Sequence, residues 1–319
     1  MMVRKPAFLF PGQGSQKVGM GRLLCEEFDI AMETFASANA ILGFDLAALC
    51  FEGPEETLKL TENAQVALFT ASVAALRTWQ SVSDITPVAV AGHSVGEYAA
   101  LVAAGSLAFE DGLKLVRKRG ELMRDAGLQT PGTMAAILGL DAEKARAACV
   151  EARAEGKGLV AVANYNGGGQ VVISGEPAAV ERAGELAKES GAKRVMPLAV
   201  SGAFHSPLMV NAGDALFASL STTPFRKPTF PLVANVDARY IHTPGDVTAG
   251  LTMQVSGAVR WEESMQLLVQ DGINVMLEFG SGDVLCGLMK RIDKSVTTAP
   301  VVDGTTLQAA LELFKDETD

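Results

Sequence analysis

Cysteine, histidine and positive charge are all scarce in this 319-residue chain, and each shortage excludes something. The four cysteines, Cys25, Cys50, Cys149 and Cys286, are scattered, with no C-x-x-C pair and no spacing suited to a structural metal. Reduced, mostly buried thiols are the expectation. The net charge of −10 has the wrong sign for a broad nucleic-acid surface. No apolar run approaches the length of a membrane span. The apolar run at residues 7–10 is too short for a signal peptide, and Pro11-Gly12 follows it at once. A cytoplasmic protein with no nucleic-acid or membrane partner is expected. There is no internal repeat and no low-complexity tract.

Hydrophobic residues are plentiful, at 48% of the chain, enough for a sizeable core. The chain is organised around Val88-Ala89-Val90-Ala91 running into Gly92-His93-Ser94-Val95-Gly96, followed by small, helix-compatible residues up to Gly105. Strand, sharp turn and helix around Gly-x-Ser-x-Gly is the context of a nucleophile elbow, with Ser94 lifted to the top of a sheet and a helix N-terminus aimed at it. Upstream, the short strand 7–10 ends in the loop Gly12-Gln13-Gly14-Ser15-Gln16. That loop fails the dinucleotide fingerprint, because Lys17 stands in place of a third glycine, and it lacks the Gly-Lys-Ser/Thr of a phosphate loop.

Strand and helix patterns alternate, so the fold class is α/β with a mainly parallel sheet. Helices are expected at 64–76 and from Gly112 to about Ala126, and strands at 230–236 and 274–280. The texture changes at 127–132. Strands at 134–139, 159–164, 170–175 and 194–198, with helices at 142–154 and from Pro177 to near Gly191, give a βαββαβ order, the ferredoxin-like pattern. The expected organisation is a discontinuous large domain, 1–126 and 200–319, carrying an inserted small subdomain, 127–199. The tail 315–319 reads as frayed.

A serine hydroxyl needs a base. Of three histidines, His93 adjoins Ser94 in the elbow, where its side chain is expected to point away from the serine's partner, and His242 precedes Thr-Pro in an expected surface turn. His205, at a loop-to-helix junction between Phe204 and Pro207, is the best candidate. A hydrolase triad would place the histidine near the C-terminus, whereas more than a hundred residues follow His205. A backbone carbonyl could orient its ring as well as a carboxylate. Arg119 follows Arg117 and Lys118, so not all three can face inward. If Arg119 does, its planar fork suits a carboxylate.

Together, Pro11-Gly12-Gln13-Gly14-Ser15-Gln16, Gly92-His93-Ser94-Val95-Gly96-Glu97-Tyr98, Arg119 with Met123, Gly202-Ala203-Phe204-His205-Ser206, and Gln254 with Val259-Arg260-Trp261 resemble the malonyl-CoA:acyl carrier protein transacylases of type II fatty acid synthesis. The same fold serves as the acyltransferase domain of polyketide synthases. The resemblance runs from near Phe8 to about Arg291. It implies an α/β-hydrolase-like core with the ferredoxin-like insert. It implies Ser94 as nucleophile, His205 as base, the backbone N–H groups of Gln13 and Val95 as oxyanion hole, and Arg119 as holder of the malonyl carboxylate. It also implies a His205-orienting carbonyl from the region of Gln254, and contacts of Asn164 and Asn166 with the thioester arm. Malonyl-CoA and an acyl carrier protein are the implied partners of a monomer with no metal or bound cofactor. Ala-Phe-His at 203–205 goes with malonyl rather than methylmalonyl units. Lys188, Lys193 and Arg194, and Lys290, Arg291 and Lys294, are the basic clusters that could meet an acidic carrier. A serine hydrolase or thioesterase acting on acyl thioesters, and a catalytically silent module, stay open.

Overall fold

A computed structural model describes residues 3–315. Of the tail expected to fray, residues 316–319 lie outside the described part. Ten strands form two sheets: β1 (Pro6–Phe10), β2 (Ala89–Gly92), β3 (Thr133–Leu138), β4 (Val160–Gly167), β5 (Gln170–Gly175), β6 (Arg194–Pro197), β7 (Leu232–Val233), β8 (Tyr240–Ile241), β9 (Val275–Phe279) and β10 (Thr297–Val301). The larger sheet has the order β10-β9-β1-β2-β7-β8, parallel except for the antiparallel edge strand β8. β1, β2 and β9 are buried throughout, as expected of a parallel sheet covered on both faces.

The two faces feed two cores, because side chains alternate along a strand. Phe8, Phe10 and Val90 join the core beneath the 22-residue helix Thr61–Val82, whose Trp79 packs edge-on to Phe8 at 5.9 Å. Ala7, Leu9, Ala89 and Ala91 face the other way, onto Trp261 and Met265 of the helix Trp261–Gln270. Small residues on that face let the helix lie close to the sheet.

The second sheet has the order β4-β5-β3-β6 with every neighbouring pair antiparallel, the ferredoxin-like arrangement. Its helices, Ala142–Ala154 and Pro177–Glu189, cover one face and share a separate core with Ile137, Val162 and Ile173. The opposite face turns Met134, Ala136 and Val172 toward the large domain. Backbone bonds stitch the two together: Tyr165 N–H donates to the Val259 carbonyl at 2.9 Å, and Val259 N–H to the Ala163 carbonyl at 2.8 Å.

Several elements differ from expectation for identifiable reasons. The helix expected over 112–126 runs from Phe109 to Gln129. Glu110 and Asp111 favour its N-terminus. Gly127 does not stop it; a Cβ there would stand 2.5 Å from the Ser201 carbonyl, so glycine permits a close crossing. The strand expected at 230–236 is only Leu232–Val233, because the chain turns back at Ala234, whose N–H bonds the Arg239 carbonyl at 2.9 Å. The strand expected at 159–164 runs on to Gly167, so only Gly168 and Gly169 turn before β5, both at positive φ.

Candidate active site

The strand–turn–helix at Ser94 is closed by two glycines. A Cβ on Gly92 would lie 2.0 Å from the Gly96 backbone, and one on Gly96 would lie 2.1 Å from the Phe10 carbonyl. No rotamer relieves a clash between a Cβ and backbone, so only glycine lets β1, β2 and the helix Gly96–Ala103 converge here. The turn holds Ser94 at φ 52°, in the left-handed region that a serine rarely adopts. Its backbone is pinned from outside the turn. Ser94 N–H donates to Asn235 Oδ1 at 2.7 Å, and its carbonyl accepts from Gln254 Nε2 at 3.1 Å.

Ser94 Oγ lies 2.7 Å from His205 Nε2. His205 is also left-handed, at φ 56°, in a turn locked by Ser206 Oγ donating to the Ala203 carbonyl at 2.6 Å. On its far side, His205 Nδ1 faces the carbonyls of Gln254 at 2.8 Å and Gly257 at 3.1 Å. A carbonyl can only accept, so Nδ1 carries the proton and Nε2 presents its lone pair to the serine hydroxyl. Burial first, and then the neighbouring Arg119 charge, push the imidazole down to about 3 against the pull of the Gln254 carbonyl. A backbone carbonyl stands where a hydrolase has its carboxylate.

Of the three consecutive basic residues, only Arg119 turns inward. Arg117 pairs with Glu121 at 2.7 Å, and Lys118 is exposed. Arg119 is 1% exposed. Its Nη1 donates to Gln65 Oε1 at 2.6 Å, and its Nη2 to Ser94 Oγ at 3.1 Å and Gln254 Oε1 at 3.0 Å. All these partners are neutral, and among the described residues no carboxylate stands at ion-pair distance from it. Burial pulls the guanidinium below its ordinary value, yet an arginine stays charged in the working range.

Ser94, His205 and Arg119 open onto a cleft of about 570 Å³ between the large domain and the small sheet. Gln13 and Val95 line it, and among the described residues neither backbone N–H has a hydrogen-bond acceptor. Gln13 is held through its side chain, which accepts from Thr61 Oγ1 at 2.8 Å. A Cβ on Gly12 would lie 2.6 Å from the His93 carbonyl, so the loop passes directly over the elbow. Asn164 and Asn166 stand two apart on β4, share one strand face, and both line the cleft. Asn166 Oδ1 lies 2.9 Å from His93 Nε2, so His93 is engaged away from Ser94. His242 lies away from the cleft, beside β8. Among the described residues no cluster of His, Cys, Asp and Glu is placed to hold a metal ion, and no helix is long and apolar enough to cross a membrane.

Four residues in this arrangement carried no sequence-based role. Gln65 holds the Arg119 fork, and Gly257 supplies the second carbonyl to His205. Asn235 and Glu97 form a buried network behind the elbow. Asn235 N–H and Gln254 Nε2 donate to Glu97 Oε2 at 3.0 and 2.8 Å, and Asn235 Nδ2 donates to the Gly92 carbonyl at 2.7 Å. Burial pushes the Glu97 carboxyl up to about 7, against the lowering effect of Gln254, Asn235 and Arg119. Glu97 was legible as part of the elbow motif, but Asn235 lies 141 residues from Ser94 and carries no local signature.

Residues 7–298 match the acyl transferase domain family. The chain belongs to that family. This acyltransferase is 46% identical over 315 residues to the malonyl CoA-acyl carrier protein transacylase of Bacillus subtilis, with 99% of each chain covered. It is also 46% identical over 308 residues to the enzyme of that name from Escherichia coli K12, covering 96% of this chain and 99% of the relative. A solved complex of a type II PKS acyl-carrier protein with its malonyl-transacylase superposes with a TM-score of 0.93 at 44% identity, covering 97% of this chain and 99% of that one. The acyl-carrier-protein S-malonyltransferase of Burkholderia pseudomallei superposes equally well, with the same TM-score, identity and coverage.

The depressed His205 value sets an expectation for pH. A base is active when deprotonated, so an imidazole held near 3 stays competent well below the ordinary histidine range. The acylation rate constant of the acyltransferase, measured by rapid quench, should not fall with a histidine-like midpoint between about pH 8 and about pH 5. A loss centred near about pH 6.5 would show that the ring titrates as an ordinary imidazole.

Proposed function

We propose that the protein transfers the malonyl group of malonyl-CoA to the phosphopantetheine thiol of an acyl carrier protein through a malonyl-serine ester on Ser94. The observation that carries this reading is a buried arginine, Arg119, bonded to the nucleophile's hydroxyl but to no anion among the described residues. A buried cation without a direct ion-pair partner is costly, and the Glu97 carboxyl acts on Arg119 only through space. A substrate carboxylate reaching the serine ester would supply the missing charge, and the guanidinium fork can take it through two parallel hydrogen bonds.

The steps follow from the placement of the atoms. Ser94 Oγ attacks the thioester carbonyl as its proton passes to His205 Nε2, 2.7 Å away. The oxyanion is received by the N–H groups of Gln13 and Val95, with the N-terminus of the helix Gly96–Ala103 behind Val95. Collapse breaks the C–S bond, His205 returns the proton to the departing CoA thiolate, and the ester remains. The carrier thiol then attacks the ester, its proton goes to His205, and Ser94 leaves with that proton. Nucleophile, base and cation are all side chains, so the chemistry calls for no metal or bound cofactor. Asn164 and Asn166 on the cleft wall are suited to the amides of the thioester arm. Phe204, buried beside His205, leaves little room for a branch at the acyl α-carbon, favouring malonyl over methylmalonyl.

Two of the basic residues named from the sequence sit on one rim. Arg291 packs under Gly168 and donates to Gln170 Oε1 at 2.9 Å, and Gln170 lines the cleft. Lys193 packs on Gly139, whose N–H bonds the Gly169 carbonyl at 2.8 Å. Lysine and arginine therefore flank the β4–β5 turn, where an acidic carrier would deliver its arm. Added salt should raise the carrier KM more than it slows acylation by saturating malonyl-CoA. Charge reversal of Lys193 and Arg291 together that leaves the carrier KM unchanged would rule out this rim.

The substrate class is tested at Arg119. Arg119→Ala should reduce malonyl transfer by roughly 2–5 kcal/mol of transition-state binding. Acetyl transfer, with no carboxylate to hold, should fall little or rise. Arg119→Lys should restore part of the loss, since lysine supplies charge but no fork. An equal fall in malonyl and acetyl transfer would make Arg119 structural and remove the basis for a malonyl substrate. Free acid released regardless of the acceptor offered would identify a hydrolase instead.

A further inference from the structure

Gln254 stands between two groups with opposite demands. Its amide oxygen accepts from Arg119 Nη2 at 3.0 Å, and its amide nitrogen donates to Glu97 Oε2 at 2.8 Å. A guanidinium has no acceptor, and Glu97 Oε2 already accepts from Asn235 N–H at 3.0 Å, so it offers Gln254 only lone pairs. One orientation of the amide satisfies both neighbours. The reverse would point NH₂ at the guanidinium and oxygen at the carboxyl. The Ser94 carbonyl also takes the Gln254 N–H, but at 3.1 Å and while accepting Glu97 N–H at 3.0 Å. The Glu97 bond is thus the shorter constraint on the amide. Glu97 is 1% exposed and contacts neither Ser94 Oγ nor His205 by any hydrogen bond, so its influence on the reaction passes through other residues.

We propose that Glu97 is a positioning residue for acyl-group selection: by taking the Gln254 amide N–H it turns the amide oxygen toward Arg119, and so fixes the guanidinium that receives the substrate carboxylate. This rests on the malonyl reading of the site given above. Gln254 is well placed to transmit the effect, because it ends the helix Pro244–Gln254 and its own carbonyl holds His205. Its side chain can then turn without moving the base. Loss of the Glu97 acceptor leaves the Gln254 N–H groups only the longer contacts, to the Ser94 carbonyl at 3.1 Å and Asn235 Oδ1 at 3.4 Å, and loosens the amide oxygen that faces Arg119. The guanidinium loses its aim, and the cost falls on substrates that carry an anion.

The test measures acylation by malonyl-CoA and by acetyl-CoA, without carrier, for wild type, Glu97→Gln and Glu97→Met. Glutamine keeps an oxygen for both N–H donors, with its NH₂ in the place of Oε1, which has no partner. Methionine keeps the size and removes the acceptor. The Glu97→Met protein should lose roughly tenfold or more in the malonyl-to-acetyl ratio of kcat/KM, the loss lying mainly in KM for malonyl-CoA. Glu97→Gln should hold the ratio within about twofold of wild type. A ratio unchanged in Glu97→Met, with both substrates slowed in parallel, would overturn the proposal, as would a Glu97→Gln ratio as low as that of Glu97→Met. If Glu97→Met does not fold, Gln254→Met, which removes the oxygen facing Arg119, must show the same loss of ratio; an unchanged ratio there also overturns it. A wild type indifferent to malonyl and acetyl would contradict the malonyl reading itself and the proposal with it, whereas a selective wild type with a selective Glu97→Met contradicts the proposal alone.

Discussion

The rest of the molecule is arranged to hold one serine in a conformation it would not choose. Ser94 at φ 52° carries a strain of about 1–3 kcal/mol. That strain persists because β1, β2 and the following helix meet at Gly92 and Gly96 with no space for a Cβ, and because Asn235 and Gln254 take the serine's backbone N–H and C=O. The parallel sheet explains why the turn lies where it does. β2 is central, buried on both faces, and ends at Gly92, so the only way forward for the chain is up and over into the helix. The hydroxyl is thereby presented at the carboxyl ends of the strands, where α/β proteins place their ligands.

Electrostatics then decide what the hydroxyl can react with. Two carbonyls orient the His205 ring, and neither adds charge to the site. A carboxylate in their place, as in a hydrolase triad, would stand close to Arg119 and compensate it. With carbonyls there, the guanidinium is bonded only to neutral oxygens, the Glu97 carboxyl acts on it only through space, and its hydrogen-bonding fork is available for a substrate anion. The same charge helps keep His205 unprotonated. In the proposed mechanism base and substrate anchor are linked: burial does most to keep the His205 imidazole unprotonated, and the cation that would hold the acyl carboxylate adds to it.

Much of this was legible in the sequence, and the gaps have physical causes. Apolar runs marked β1, β2 and β9 because a parallel strand buried on both faces has no polar side to confuse the pattern. β10 was not read, since Thr-Thr-Ala-Pro-Val is an edge strand, half-buried, with a proline that only an edge tolerates. The helix Pro244–Gln254 was not read, although Thr243 and Asp246 form a capping box that announces it. At the site, Ser94, His205 and Arg119 belong to compact motifs and could be named. Asn235 and Gln65 could not, because each acts through hydrogen bonds to residues far along the chain. Glu97 stood in plain view beside the elbow, but its task depends on Gln254, 157 residues away.

In the proposed mechanism Ser94, held between His205 and Arg119, carries the acyl group between donor and acceptor. The most direct measurement is intact-mass analysis and peptide mapping after incubation with malonyl-CoA and rapid quenching, with no carrier present. A single malonyl adduct is expected on the peptide containing Ser94, absent from Ser94→Ala and discharged when a carrier thiol is added. An adduct on another peptide, or no adduct while transfer to carrier proceeds, would contradict it.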